Sequence, residues 1–249
     1  TTDSDSTDTT DSTSTSAKAL KAGNEVNISG GEFKIDSADD SVHSNGNIVI
    51  TGGNISAASG DNGMHANGNL TISDGTVDIT KSYEGIEGSI VTIDGGTISV
   101  VASDDGINCA GGSDTGSTDR MGADQFSSQD GVELNINGGT VTIDADGDGL
   151  DSNGNFTMAG GTVYVCGPTN GGNGALDYNG TATVTGGTLI ACGAVGMEEG
   201  FGDTSTQYSV LHDLGSTVSA NEKLTITDSD GKEILSFTPT KTWQSVVFT

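Results

Sequence analysis

Short alternating runs of apolar residues recur along most of this chain, and two small residues separate the runs in each pair. The frame is apolar-x-apolar-x-(Gly/Asp)-Gly-x-apolar-x-apolar, as in LTISDGTVDI from Leu70 to Ile79. The second small residue is Gly31, Gly53, Gly75, Gly96, Gly139, Gly161 or Gly187. The steps between these glycines are 22, 22, 21, 43, 22 and 26 residues. A period near 22 with short strands is typical of a solenoid in which each repeat forms one stacked coil.

Five apolar positions recur in each repeat, and their spacing indicates strands. Within each run the apolar period is two, so alternate side chains face one way. Glycine interrupts every window that is long enough for a helix. The sequence therefore predicts an all-β fold, a parallel β-helix of about seven coils of about 22 residues with three short strands per coil and a C-terminal β cap. At about 4.8 Å per rung the rod is about 34 Å long. The apolar position that closes each coil is Val42, Met64, Ile86, Ile107, Leu150, Leu176 or Met197.

The pattern divides the chain into three regions. Residues 1–16 contain only Ser, Thr and Asp and predict a disordered, solvated tether. Residues 17–205 form the predicted β-helix, whose 43-residue step holds a loop insertion at residues 113–131. Residues 206–249 lose the repeat and should cap the open sheet edges, which prevents end-to-end association and favours a monomer. The strands predicted in this cap are Lys223–Thr227, Glu233–Phe237 and Ser245–Phe248.

The chain is strongly acidic, and its charge limits the partners it can have. Eight Lys and Arg residues against 35 Asp and Glu residues give a net charge of −27. This charge argues against nucleic acid or an anionic membrane as a partner, and favours cations or partners bound through cations. No run of 18 apolar residues is present, so we expect no membrane-spanning segment. Tethers of this composition often follow a removed signal peptide or a lipid-anchored cysteine, so we expect a secreted or surface-anchored protein.

Acidic residues recur in register beside the apolar position that closes each coil. The residue after this position is His43, His65, Glu87, Asn108, Asp151, Asp177 or Glu198. Carboxylates stacked about 5 Å apart repel by roughly 1 kcal/mol in water, and by about 3 kcal/mol at an effective dielectric constant of about 20. A cation between the coils would relieve this repulsion. The candidate metal ligands are Asp61, Glu84, Glu87, Asp104, Asp105, Asp148, Asp151, Asp177 and Glu198.

Calcium is the metal that this set of ligands favours. Several oxygen ligands at a glycine-rich bend are what Ca²⁺ accepts, and we expect several ions. Zinc prefers Cys or His, and the pair His43 and His65 has no further nitrogen or sulfur ligand nearby. The alternative is that the carboxylates only solvate the rod. The spacing predicts three sites, formed by Glu84 and Glu87 with Asp105 and assisted by Asp61, by Asp148 and Asp151 with Asp177, and by Asp177 with Glu198.

Several corner motifs resemble those of a clostridial family of surface carbohydrate-binding domains. They are the Gly-Gly-Thr-apolar coil, Ser103-Asp-Asp-Gly-Ile-Asn108, Tyr83-Glu-Gly-Ile-Glu87, Asp146-Gly-Asp-Gly-Leu-Asp151 and the tail Thr227-Asp-Ser-Asp-Gly-Lys-Glu-Ile234. The resemblance runs from about Ala17 to the C-terminus. It implies a right-handed parallel β-helix resembling polysaccharide lyases, bound calcium, and adhesion to cellulose-like or pectic polysaccharide without established cleavage.

The expected function is calcium-dependent binding of plant cell-wall polysaccharide, pectic or cellulose-like, with no catalytic residue assigned. Calcium would bridge the acidic protein to uronate carboxylates, and the candidate sugar contacts are Tyr83, Lys81, Arg120 and Tyr178. Two alternatives stay open. A calcium-dependent, pectate-lyase-like polysaccharide lyase needs a basic residue beside the metal, which here is Lys81 or Arg120. A structural shaft of a cell-surface adhesin would bind calcium but no sugar.

Two further patterns predict local structure. Cys166 and Cys192 each lie five residues after the second glycine of their coil, so they should be neighbours, either as stacked small residues or as a disulfide. Asn residues followed by Gly recur at one corner, and Asn and Gly both tolerate positive φ, so we expect a positive-φ turn there. These asparagines are Asn45, Asn67, Asn153 and Asn179.

Overall fold

A computed structural model describes residues 16–110 and 128–249 of the chain. Within these ranges there are twenty β-strands and no helix, and hence no helix able to cross a membrane. All but one residue of the predicted tether (1–16) and most of the predicted loop insertion (113–131) lie outside the described residues. In chain order the strands are β1 (Leu20–Ala22), β2 (Glu25–Ser37), β3 (Val42–Ser44), β4 (Asn47–Ser59), β5 (Met64–Ser82), β6 (Ile86–Ile93), β7 (Thr97–Ala102), β8 (Ile107–Cys109), β9 (Glu133–Ile136), β10 (Thr140–Ala145), β11 (Leu150–Ser152), β12 (Asn155–Met158), β13 (Thr162–Cys166), β14 (Leu176–Tyr178), β15 (Ala182–Val184), β16 (Thr188–Gly193), β17 (Val210–Val218), β18 (Leu224–Thr227), β19 (Glu233–Phe237) and β20 (Trp243–Phe248).

Three parallel ladders run along the molecule, one for each straight segment of a coil. The first ladder begins with the start of β2, the second with the end of β2, and the third with β1. Repeats about 22 residues apart stack in the register that the apolar pattern predicts, so the fold is confirmed as a β-solenoid of about seven turns. In the third ladder the successive partners are Val42, Met64, Ile86, Ile107, Leu150 and Leu176.

The core is a narrow column of side chains that point inward from all three ladders. Because side chains alternate along a strand, every second residue enters this column and the residue between faces solvent. One inward position of the first ladder supplies a continuous stack, and each member is at most 1% exposed. A fully buried aliphatic or aromatic side chain contributes about 1.5–3 kcal/mol, so this stack stabilises the coil at every rung. Its members are Ile48, Leu70, Val91, Leu134 and Phe156.

Glycine fixes the bend between the first and second ladders. The second glycine of each repeat has a positive φ, from 79° at Gly139 to 103° at Gly53. Residues with a Cβ rarely adopt this conformation, which is why glycine recurs at this position in all seven repeats.

The bend between the third and first ladders is formed differently. The prediction that its asparagines adopt positive φ is wrong. Among the described residues Asn221 alone has positive φ without being glycine. Glycine follows each corner asparagine because adjacent coils touch there. A Cβ on Gly46 would lie 1.9 Å from the carbonyl oxygen of Asn24, and one on Gly154 would lie 1.8 Å from that of Val132.

The end of the chain covers the last coil. β20 pairs antiparallel with β16 and also with β17, while β18 and β19 form a separate hairpin. The three strands predicted in this region are observed as β18, β19 and β20, but β17 was not predicted. At the other end, β1 adds a rung to the third ladder, where Leu20 pairs with Val42.

The two cysteines predicted to be neighbours lie side by side. Cys166 and Cys192 are register partners of β13 and β16. Both are buried free thiols, and the hydroxyl of Thr240 donates a hydrogen bond to Cys166 Sγ at 3.2 Å. This matches the expectation of stacked small residues.

Candidate functional site

The third ladder aligns a column of polar residues on the outside of the solenoid. Each lies directly after the inward apolar residue of its short strand, so its side chain points away from the core. The register partners are those that the sequence predicts, as far as β14. In order they are His43, His65, Glu87, Asn108, Asp151 and Asp177.

The centre of this column holds three carboxylates from two adjacent coils. Asp105, Asp148 and Asp151 each offer an oxygen, and these oxygens lie within 4.8 Å of one another. Asp105 Oδ1 accepts a hydrogen bond from the backbone N–H of Asp148 at 2.7 Å, which ties the two coils together. We call Asp105, Asp148 and Asp151 the central acidic cluster.

Burial and mutual repulsion perturb the acids of this cluster. Burial, followed by the charge of Asp105, raises the pKa of Asp148 to about 8. Burial also raises the pKa of Asp151 well above its ordinary value, with the charges of Asp105, Asp148 and Asp177 acting in the same direction. At neutral pH such carboxyls either keep protons or need a cation among them.

A second acidic pair lies one coil earlier. Burial, with the charges of Glu87 and Asp105, raises the pKa of Glu84 to about 9. Burial alone would raise the pKa of Glu87, but hydrogen bonds and the charge of His65 outweigh it and lower that pKa. His65 Nδ1 lies 2.8 Å from Glu87 Oε2. The pair therefore shares a proton between one neutral and one ionised carboxyl, and Asp105 links it electrostatically to the central acidic cluster.

Asn108 lies between these two groups in the column, opposite Glu87 on one side and Asp151 on the other. Its side-chain oxygen Oδ1 is buried and finds no hydrogen-bond partner in the described part of the chain. A buried carbonyl oxygen without a donor costs about 1–3 kcal/mol. A cation among these oxygens would satisfy it.

Asp104 belongs to the same region. Its charge contributes to the raised pKa values of both Glu84 and Asp148. Glycine at position 147 leaves room beside it, because a Cβ there would lie 2.7 Å from Asp104 Oδ1 and 2.4 Å from Asp105 Oδ1. The space that a side chain would fill is thus bordered by two carboxylate oxygens.

At the C-terminal end of the column an acid lies beside Asp177 that the sequence did not single out. This acid is Glu199: burial raises its pKa, and the charge of Asp177 adds to the effect. Glu198, the predicted partner of Asp177, does not lie in a strand, and its carboxylate accepts a hydrogen bond from the backbone N–H of Gly196. Burial likewise raises the pKa of Asp177. The repeat frame failed to identify Glu199 because the chain leaves the coil after β16.

At the N-terminal end of the column, a lysine side chain pairs with the acidic residues. Lys18 Nζ lies 3.0 Å from Asp39 Oδ1 and also pairs with Asp40. Burial alone would lower the pKa of Lys18, but its hydrogen bonds to Asp40 and Asp39 raise it above its ordinary value. Asp61, predicted to assist Glu84 and Glu87, shares a group of oxygens within 4.8 Å with Asp39 and Asp40.

The predicted sugar contacts are spread over different environments. Lys81 is exposed at the end of β5, and Tyr83 is partly buried at the next corner, where its N–H donates to the carbonyl of Asp61 at 2.8 Å. Tyr178 is half-buried, and its hydroxyl donates to the carbonyl of Gly200 at 2.6 Å. Arg120 lies outside the described residues. Tyr208, which the repeat pattern does not mark, is 97% exposed beside β17.

A comparison with protein families agrees with the geometry of the coil. The model of a family described as "Carbohydrate-binding domain-containing protein" matches residues 1–63 and 64–174 of the chain. Searches of curated proteins and of solved structures gave no significant match. The matched residues include the first five members of the column, from His43 to Asp151, and the whole central acidic cluster.

Proposed function

The chain belongs to the family of carbohydrate-binding domain-containing proteins, and from this membership we propose that it binds plant cell-wall polysaccharide through calcium ions held by its acidic column. Family membership supports a polysaccharide partner and a role outside the cell or at its surface. Calcium dependence, a pectic (polygalacturonate) or cellulose-like ligand, secretion, surface tethering and a monomeric state are further parts of the proposal.

The approach of Asp105, Asp148 and Asp151 to within 4.8 Å carries the calcium part of the proposal. All three offer oxygen, the ligand type that Ca²⁺ selects, and Asn108 adds an amide oxygen that has no donor among the described residues. Calcium would replace protons on acids whose pKa values are raised by burial and repulsion. Glu84 and Glu87 provide oxygens for a second ion one coil away.

Calcium also explains how so acidic a protein would bind an acidic polymer. A chain with a net charge of −27 repels polygalacturonate unless a cation lies between them. Ions held by protein oxygens on the outside of the third ladder would accept uronate carboxylates as further ligands. The regular rungs, about 4.8 Å apart, would offer a long track to an extended glycan.

Affinity electrophoresis with polygalacturonate and with cellulose derivatives, in calcium and after its removal by a chelator, tests the proposal. We expect retardation in calcium that is lost with chelator and in Asp151→Asn. The matched control is Asp203→Asn, which neutralises an exposed carboxylate beside the first ladder. Metal analysis of the purified protein should find bound calcium. Absence of retardation by every polysaccharide would refute the binding role and leave the structural shaft.

The lyase alternative has its own readout. Eliminative cleavage of polygalacturonate produces an unsaturated uronate that absorbs in the ultraviolet. We expect no increase in absorbance with time, since we assign no catalytic residue; of the two candidate bases, Lys81 is exposed at the end of β5 and Arg120 lies outside the described residues. An increase that disappears in Lys81→Ala or in Arg120→Ala would overturn the assignment as a binding protein.

A further inference from the structure

A histidine pair lies in the first coils of the acidic column, where the sequence suggested no metal other than calcium. His43 and His65 are register partners on β3 and β5, and their rings stack with centroids 5.0 Å apart and an angle of 29° between their planes. Both are almost completely buried, with 3% and 4% of their surface exposed. Two buried imidazoles in one column are a different chemical environment from the oxygen-only cluster further along.

An asparagine side chain contacts the Nε2 atom of each imidazole ring at the same distance. His43 Nε2 lies 2.9 Å from Asn45 Oδ1, and His65 Nε2 lies 2.9 Å from Asn67 Oδ1. With an amide oxygen as partner, each Nε2 carries the proton and acts as the donor. When Nδ1 carries no proton, the ring presents the lone pair of that nitrogen to the opposite side. Fixing one ring nitrogen by an outer hydrogen bond is how proteins orient histidine ligands for a metal.

Both lone pairs point to carboxylates. His43 Nδ1 lies 2.7 Å from Asp40 Oδ2, and His65 Nδ1 lies 2.8 Å from Glu87 Oε2. An imidazole lone pair and a carboxylate oxygen at these distances are two acceptors facing each other, so either a proton or a cation has to lie between them. In the next coil the amide Nδ2 of Asn62 lies 3.1 Å from His65 Nδ1 and also donates a hydrogen bond to Glu87 Oε2. A divalent ion bound by both Nδ1 atoms would take the place of this amide N–H and of the proton between His43 and Asp40.

We propose that His43, His65 and Asp40, with Glu87 at the edge, form a second metal site that takes a transition-metal ion such as Zn²⁺. Ligand atoms of the first three residues lie within 4.8 Å of one another. Zinc bonds to nitrogen and oxygen are about 2.0–2.2 Å long, so these atoms close in by about 1 Å through side-chain rotation. Two imidazoles with carboxylates suit zinc, nickel or cobalt, whereas calcium and magnesium prefer oxygen alone.

Lys18 makes the site selective. Its ammonium group pairs with Asp39 and with Asp40 Oδ2, the same oxygen that faces His43 Nδ1, so a cation that binds here has to displace this built-in charge from Asp40. A transition-metal ion gains two nitrogen ligands that calcium does not use, so it should bind here even when calcium occupies the central acidic cluster. The proposed site is separate from the central acidic cluster, although its edge residue Glu87 also belongs to the pair proposed to bind a second calcium ion.

Zinc titration of the full chain in millimolar calcium, followed by calorimetry, tests this proposal. We expect one zinc ion per chain, with affinity reduced about 100-fold or more in His43→Gln and in His65→Gln. His212→Gln is the matched control, because His212 is exposed on β17, and this variant should bind zinc as wild type does. Equal zinc affinity in wild type and in a folded His43→Gln variant would overturn the site.

A measurement on the wild-type protein covers the case in which the variants fail to fold. Nitrogen-15 NMR of the imidazole rings reports which nitrogen binds the metal. Zinc should shift the Nδ1 signals of His43 and His65 and leave their Nε2 protons and His212 unchanged. If neither Nδ1 signal moves at saturating zinc, the two rings are structural and the proposal is wrong.

Discussion

The central acidic cluster makes the calcium-free protein lose stability as the pH rises. Asp148 has a pKa raised by burial from 3.8 to about 8, so its folded state holds a proton that its unfolded state releases above pH 4. Below the pKa that Asp148 has in the unfolded chain, this group does not lower the stability of the folded protein. As the pH rises from that value toward the pKa in the folded state, stability is progressively lost. The window of loss therefore runs from about pH 4 to about pH 8.

The size of the effect follows from the pKa difference. Each pH unit within the window removes about 1.4 kcal/mol, so between pH 4 and pH 7 the single group Asp148 accounts for about 4 kcal/mol. Asp148 is only partly exposed, and solvent screening reduces the observed loss to about 2 kcal/mol. Burial raises the pKa of Glu84 to about 9, which extends the loss to more alkaline pH.

Urea unfolding followed by far-ultraviolet circular dichroism at pH 5, 6, 7 and 8 measures this loss. Calcium-free wild type should lose at least the roughly 2 kcal/mol due to Asp148, and saturating calcium should remove most of the slope, because the ion binds the deprotonated acids. Asp148→Asn removes one titrating group and should make the calcium-free slope shallower, leaving the part due to Glu84 and Asp151, whereas Asp203→Asn should keep the wild-type slope. A calcium-free slope that is identical in wild type and Asp148→Asn would refute the reasoning.

Other expected outcomes concern single positions. Asn108→Ala should leave the calcium-free protein as stable as wild type or slightly more stable, since a buried oxygen without a donor is removed, yet weaken calcium binding about tenfold; equal calcium affinity by calorimetry would exclude Asn108 as a ligand. Gly154→Ala should cost about 3 kcal/mol or more, because its Cβ would lie 1.8 Å from a carbonyl oxygen of the next coil. Gly23→Ala, with no atom within 4 Å of the added Cβ, should be tolerated, and urea unfolding compares the two. Burial raises the pKa of Cys192 to about 12, so a thiol reagent should label it only after unfolding; rapid labelling of the native protein would show that this corner opens.

The local pattern of glycine and apolar positions is enough to identify the coil. Glycines that need positive φ, such as Gly53, and inward residues such as Ile48 recur at fixed offsets, and coil stacking then gives every rung the same register. For this reason the order of the column from His43 to Asp177 follows from the spacing of the repeats. The register of a solenoid is a property of its period, and the period can be read along the chain.

The repeat pattern does not place residues that lie outside the repeats. It also does not show which side chains of neighbouring coils contact each other. Glu199 was missed because the chain departs from the coil after β16, and β17 was missed because it lies outside the repeat and pairs antiparallel with β20. Asp61 was predicted to assist Glu84 and Glu87, and the repeat did not show that its carboxylate also lies within 4.8 Å of ligand atoms of Asp39 and Asp40. The repeat gives the position of a backbone, but not the side to which a corner side chain turns.

The sequence by itself determined the β-solenoid, its inward column and the register of its acids, because each depends on a short pattern repeated at a fixed spacing. The tertiary structure alone decided which polar atoms meet. It brought Asp105 to Asp148 and Asp151, left Asn108 Oδ1 without a donor among the described residues, and turned the Nδ1 atoms of the histidine pair toward carboxylates. The physical reason is that backbone stacking is periodic, whereas hydrogen bonding and charge pairing depend on the few ångströms within which each corner side chain finds its partner.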